Sequence, residues 1–109
     1  KIFEEVNQIT HNPNDRENVS NYIYEHPEKY KIRPLPCPKN LNFPNLRLTV
    51  DEQNDFNLIK IIFEELYYLD PQFSTVEVIK FLNSNPKLLE INKDVIQKKL
   101  PAWDNLKKT

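Results

Sequence analysis

Asp51 is the residue of this 109-residue chain whose type and position offer chemistry. It follows the alternating run Leu46-Arg47-Leu48-Thr49-Val50 and precedes an apolar helical pattern that begins at Phe56. An aspartate at such a joint has two ordinary uses. It accepts backbone N–H bonds as a helix cap, or it gives a hard cation an oxygen ligand, Mg²⁺ typically taking one or two carboxylates plus phosphate oxygens and water. On residue types alone capping is the commoner use. Asp55, one turn further on, complements the positive end of the helix dipole whichever holds. Arg47 and Thr49 share the strand face of Asp51 and would line a polar cavity or face solvent. Other reactive side chains lack partners. His11 and His26 have no cysteine or carboxylate at metal-ligand spacing, and Cys37 sits between two prolines with no base nearby, as a passive thiol does.

The elements that must position Asp51 follow from periodicity. Leu46, Leu48 and Val50 fall on one face of a strand with a single buried side. From Phe56 the period lengthens, with Phe56, Ile59, Phe63 and Leu66 on one stripe and Leu58, Ile61 and Ile62 widening it. That width predicts a helix from about Gln53 to Leu69, covered on more than one side and stopped by Asp70-Pro71. Ligands of open α/β sheets bind beyond the carboxyl ends of strands, which is where Asp51 would stand. Upstream, Lys1–Ile9 reads as the end of a helix. Asp15 is placed to cap a second helix from Arg16 to Glu25, and Tyr30–Arg33 alternates as a short strand would. Pro34, Pro36 and Pro38 enforce an extended path. Downstream, Ser74 and Glu77 spell a capping box, with Phe73 placed to staple onto Val78. Asn85-Pro86 then opens a short turn carrying Leu88 and Leu89.

Composition bounds the possibilities. Fifteen basic and sixteen acidic residues give a formal net charge of −1, which argues against nucleic acid as a partner. No apolar run is long enough to span a bilayer, so no membrane partner is expected. One cysteine excludes an internal disulfide framework and fits a cytoplasmic location. The chain has no glycine and no methionine, where roughly eight glycines would be typical of this length. A self-contained nucleotide-binding enzyme needs glycine where backbone meets phosphate. The sequence therefore reads as a piece of a larger protein.

Leu46-Arg47-Leu48-Thr49-Val50-Asp51, followed by Asp55-Phe56-Asn57-Leu58-Ile59, resembles the LRLTVD-x-x-x-D-L-x-L-I segment of the spore-coat polysaccharide cytidylyltransferase homologues. These are relatives of enzymes that make CMP-activated acidic sugars. Asp15-Arg16-Glu17-Asn18-Val19-Ser20-Asn21-Tyr22-Ile23 is similar to the DREHVT-x-Y-I segment of the same family, and the likeness continues in order to Asn92. Asn18 and Ser20 replace the usual histidine and threonine, and Glu52-Gln53 replaces the Thr-Pro that commonly opens the central helix.

The resemblance implies an α/β fold, residues 1–92 being the C-terminal fragment of a nucleotide-diphospho-sugar transferase three-layer α/β/α sandwich, with 93–109 a peripheral tail or linker. It implies a CTP-dependent sugar-acid nucleotidyltransferase of surface or spore-coat polysaccharide biosynthesis, with Mg²⁺ as cofactor. Asp51 would be the metal ligand, and Arg16, Glu17 and Arg47 would lie on the substrate side. No catalytic residue is expected within this piece, which would be inactive by itself. Its partners would be CTP and an acidic sugar in the intact protein, the missing N-terminal half, and a second copy in a homodimer. The competing expectation is a non-catalytic α+β interaction domain that docks through Trp103 and the tail.

Overall fold

The computed structural model describes residues 1–99, so the expectations for Leu100, Trp103 and the rest of the tail's end lie outside the described residues. These residues divide into two compact units, one of Lys1–Leu35 together with Lys98 and Lys99, the other Pro36–Gln97. Among them every regular element is helical. This overturns the expected α/β sandwich, and the α+β alternative finds no strand either. The physical reason lies in Leu46–Val50. The segment is extended, and Leu46 and Leu48 pack on the core, but Val50, expected on the same buried face, is half exposed. However, a strand exists only when a second one bonds to it, and no partner strand is present among the described residues. Tyr30–Arg33 likewise forms no ladder.

In the first unit, α1 (Ile2–Ile9) buries Val6. The expected helix from Arg16 to Glu25 is instead two short ones, α2 (Pro13–Glu17) and α3 (Asn21–Glu25). Asn12, not Asp15, caps α2, its side-chain oxygen accepting from Asn14 N–H at 2.9 Å. Pro13 at the first helical position moves the start forward, since its missing N–H costs nothing there. Asp15 is thereby drawn inside, where its carboxylate accepts from Thr10 Oγ1 at 2.6 Å and Asn21 Nδ2 at 2.8 Å. Tyr22 is buried and stacks on His26 with ring centroids 4.0 Å apart. His26 Nδ1 lies 2.8 Å from the Tyr22 carbonyl oxygen, which accounts for this histidine structurally.

In the second unit, a 3₁₀ turn (Lys39–Leu41) leads through the extended segment to α4 (Gln53–Leu66), then α5 (Thr75–Ser84) and a second 3₁₀ turn (Pro86–Glu90). α5 packs against α4 and both turns. Leu58, Ile62, Val78 and Leu82 form the core, with Phe73, Phe81, Leu88 and Leu89 packed around it. Full burial of Leu58, Ile62 and Leu82 stabilises by about 1.5–3 kcal/mol per side chain. Coverage of α4 is one-sided, contrary to expectation: Phe56, Phe63 and Tyr67 remain about half exposed. The Ser74–Glu77 capping box forms as read, with Ser74 N–H donating to Glu77 Oε2 at 2.6 Å and Glu77 N–H to Ser74 Oγ at 3.4 Å. No described residue adopts a positive φ, so none of the described turns demands glycine. Among the described residues no helix is long and apolar enough to cross a membrane.

Candidate functional site

The polar centre of the second unit is Asp55. Its side chain is 0% exposed and sits at the third position of α4, where a carboxylate can reach back to free N–H groups. Asp55 Oδ2 accepts from Asp51 N–H at 3.1 Å and Glu52 N–H at 3.0 Å. Arg47 grips both oxygens, Nε to Oδ1 at 2.8 Å and Nη2 to Oδ2 at 2.9 Å. Asn92, buried beyond the second 3₁₀ turn, donates from Nδ2 to Asp55 Oδ1 at 3.0 Å and to the Arg47 carbonyl at 3.2 Å. One carboxylate thus fixes the extended segment, the start of α4 and the end of the described core.

The Arg47 hydrogen bonds hold the Asp55 carboxyl well below the usual carboxylate range, outweighing the upward push of burial, with Asn92 and the two backbone N–H groups adding to the effect. The same bonds to Asp55 raise Arg47, as does the bond to Asp51. Both groups are therefore charged at neutral pH. The pair is bidentate and closed by further donors, the arrangement in which a buried ion pair holds together.

Asp51 stands outside this centre. Its side chain is 57% exposed, and its Oδ2 accepts from Arg47 Nη2 at 2.8 Å. The carboxylate accepts no bond from a helix N–H: the N-cap of α4 is Glu52, and Asp55 ties back the first turn. The capping role set against metal ligation is therefore filled by other residues. Asp51 Oδ1 has no partner among the described residues. No group of three or more His, Cys, Asp or Glu side chains able to hold a metal occurs among them. One accessible carboxylate oxygen fits Mg²⁺ only as a single ligand, the remaining positions going to phosphate oxygens and water.

The structure thus brings Arg47 and Asp51 together, while Arg16 and Glu17 belong to the first unit. There Arg16 Nη1 donates to the Asn7 carbonyl at 3.2 Å and also to the Asn7 side chain, and Glu17 is exposed. Two residues of the site escaped the sequence reading. Asp55 was assigned only a dipole role, although its capping-box spacing from Glu52 signals a side chain turned back on the chain. Asn92 gave no local signal, since its partners lie 37 and 45 residues away.

Beside this network a cleft of about 470 Å³ opens in the same unit. Arg47 and Asn92 line it together with Phe43, Asn45, Leu82 and Asn83. Asp51 is not part of its wall.

No family model matches the chain, and no solved structure does. Among curated proteins, it is 35% identical over 83 residues to the uncharacterized protein MJ1063 of Methanocaldococcus jannaschii, a stretch covering 76% of the chain and 33% of that relative. It is 35% identical over 71 residues to the spore coat polysaccharide biosynthesis protein SpsF of Bacillus subtilis, covering 65% of the chain and 29% of SpsF. The chain is distantly related to the spore coat polysaccharide biosynthesis proteins. It spans about a third of the length of these relatives.

Proposed function

We propose that this chain is the C-terminal part of a CTP-dependent sugar-acid nucleotidyltransferase serving surface or spore-coat polysaccharide biosynthesis in the cytoplasm. The observation that carries the reading is the likeness to SpsF. It is supported by Asp51, which resembles the metal-binding aspartate of cytidylyltransferase relatives and is accessible, with one oxygen uncommitted. In the reaction a hydroxyl of the acidic sugar attacks the α-phosphorus of CTP, and the bond to pyrophosphate breaks. Mg²⁺, when bound, would neutralise phosphate charge.

The residues of this chain would orient and hold. Asp51 would contribute one carboxylate oxygen to the cation, and Arg47 fixes its direction through the 2.8 Å bond to Oδ2. Arg47 is itself locked by Asp55 and Asn92, so the Asp51 carboxylate stands on a rigid base, as precise positioning requires. Arg16 and Glu17 would meet the substrate in the intact protein. The piece alone would be inactive, completed by an N-terminal half and assembled with a second copy.

The test is CTP-dependent pyrophosphate release by the intact protein at varied Mg²⁺, with a melt of each variant. Asp51→Asn should lower turnover by roughly 100-fold or more, the scale of a lost charge at a phosphate-transfer centre, while its melting temperature stays near that of the parent. Near-normal turnover in a folded Asp51→Asn protein would remove the metal role. A second reading, a non-catalytic interaction domain, is favoured by one observation: Tyr68 and Leu69, just after α4, are 87% and 83% exposed. Complete lack of CTP turnover in an intact, folded protein would select it.

A further inference from the structure

The cleft beside Arg47 has a lining whose chemistry is specific. Its volume of about 470 Å³ lies within the range of small-molecule sites. Phe43, Pro44, Leu82 and Leu89 give it apolar walls. Between them stand amides that the fold leaves unused. The side chains of Asn45 and Asn83 both line the cleft, and neither has a hydrogen-bond partner among the described residues. An amide offers donors and an acceptor at one position.

The deepest polar group of the cleft is more telling. Asn92 is 5% exposed. Its Nδ2 faces two acceptors, the Arg47 carbonyl and Asp55 Oδ1, which fixes the orientation of the amide, because a flip would set oxygen against oxygen. Its Oδ1 has no donor among the described residues. This oxygen is not among the buried unpaired atoms, so solvent reaches it, and a ligand in the cleft can reach it too. Arg47 supplies the complement. Nε, Nη1 and both Nη2 hydrogens are directed to Asp55, Gln97 and Asp51, which leaves one Nη1 hydrogen of the five that a guanidinium carries.

These open groups select a ligand class. A hydroxyl can accept from Arg47 or donate to Asn92 Oδ1, whereas an ionised carboxylate or phosphate oxygen can only accept and would meet the Asn92 oxygen unfavourably. The cations on the cleft are also committed, Arg47 to Asp51 and Asp55 and Lys93 to Glu90. No unpaired positive charge is left on its wall for an anion. We propose that this cleft binds a neutral polyhydroxylated ring, a single saccharide or cyclic polyol unit. Its hydroxyls bond Asn45, Asn83, Asn92 and Arg47, and its C–H face lies on the Phe43 side. The site goes beyond the nucleotidyltransferase reading and does not depend on it, since Asp51 is not in its wall.

The experiment is an amide-resolved NMR titration of the 109-residue chain. The probes are methyl glucoside, N-acetylglucosamine and myo-inositol, with glucuronate and inorganic phosphate as anions, each to roughly 50 mM, since weak ring ligands bind at millimolar Kd. At least one neutral probe should give saturable shifts of the Asn45, Asn83 and Asn92 side-chain amides. Asn45→Ala and Asn83→Ala, both at exposed positions, should each weaken that binding by about 2- to 10-fold, the worth of one neutral hydrogen bond, without moving the melt. Three results would overturn the proposal: no saturable shift with any neutral probe, tighter binding of glucuronate or phosphate, or affinity unchanged in both variants. CTP turnover plays no part in the readout, so the outcome separates from that of the Asp51 test.

Discussion

Among the described residues each unit of this chain buries one aspartate, and the two are held by different means. Asp15 in the first unit accepts from Thr10 and Asn21, neutral donors only five and six residues away. Asp55 in the second accepts from a guanidinium, two backbone N–H groups and an amide 37 residues on. The first arrangement ties neighbouring turns and leaves Asn21 Oδ1 buried without a partner. The second joins the ends of its unit and leaves no buried side-chain atom there unpaired among the described residues. Burial alone does not make an aspartate the keystone of a fold. What matters is whether its partners are distant in sequence and whether one of them carries the opposite charge.

The comparison is broken most directly by removing each charge in turn. Asp55→Asn leaves the half-buried Arg47 with only the exposed Asp51 as counter-charge, and removing one partner is the costly way to disrupt such a pair. It should lower the melting temperature by on the order of 10 °C or more. Asp15→Asn replaces a carboxylate that faces only neutral donors, and should cost less than half as much. Equal losses, read by circular dichroism on both variants, would erase the distinction.

Acid sharpens it. The folded Asp55 carboxyl is depressed by Arg47, while an unfolded aspartate titrates at about 3.9. Its stabilisation is therefore present above the ordinary carboxylate range and is lost as pH falls from there toward the depressed folded value. The wild-type melt should drop steeply below about pH 4, and Asp55→Asn should flatten that decline. Parallel curves for wild type and variant would show that other carboxylates govern acid unfolding.

Smaller effects calibrate the scale. Ser74→Ala removes the 3.4 Å bond from Glu77 N–H but not the 2.6 Å bond that Glu77 accepts. It should cost at most about 1 kcal/mol, the usual size of a lost N-cap. A loss well above that would place Ser74 among the residues that hold the core. Smallest is Asp51→Asn, which deletes an exposed partner of Arg47 while Asp55 keeps its grip. The melt should move by no more than about 2 °C, as for surface pairs. A larger drop would make Asp51 a member of the buried centre.

Legibility followed distance along the chain. The helices and the Ser74–Glu77 box depend on residues three or four apart, and the spacing of Val78, Ile79 and Leu82 displays their buried face directly. The same rule explains the failures. Leu46–Val50 carries the alternation of a strand, yet a strand is a property of two segments, and its partner cannot be seen from one. The break at Asn18–Ser20 was hidden because Pro13 and Asn12 start a helix earlier than Asp15 would. At the site, Arg47 and Asp51 were singled out from their shared face. Asp55 was underrated, and Asn92 was invisible, because its role exists only once the chain has returned across the unit.

The backbone without a single described positive φ has a consequence for the state that is not folded. With no glycine and nine prolines, the disordered form of this chain is stiffer than that of an ordinary sequence. Each glycine replaced where the native backbone tolerates it is worth roughly 0.4–1 kcal/mol, through unfolded conformations that no longer exist to be lost. Over the roughly eight positions where a typical chain of this length carries glycine, that restriction amounts to several kcal/mol. It belongs to no contact in the native protein, and deleting side chains one by one would never find it. Part of what holds these short helices in place is the poverty of their alternatives.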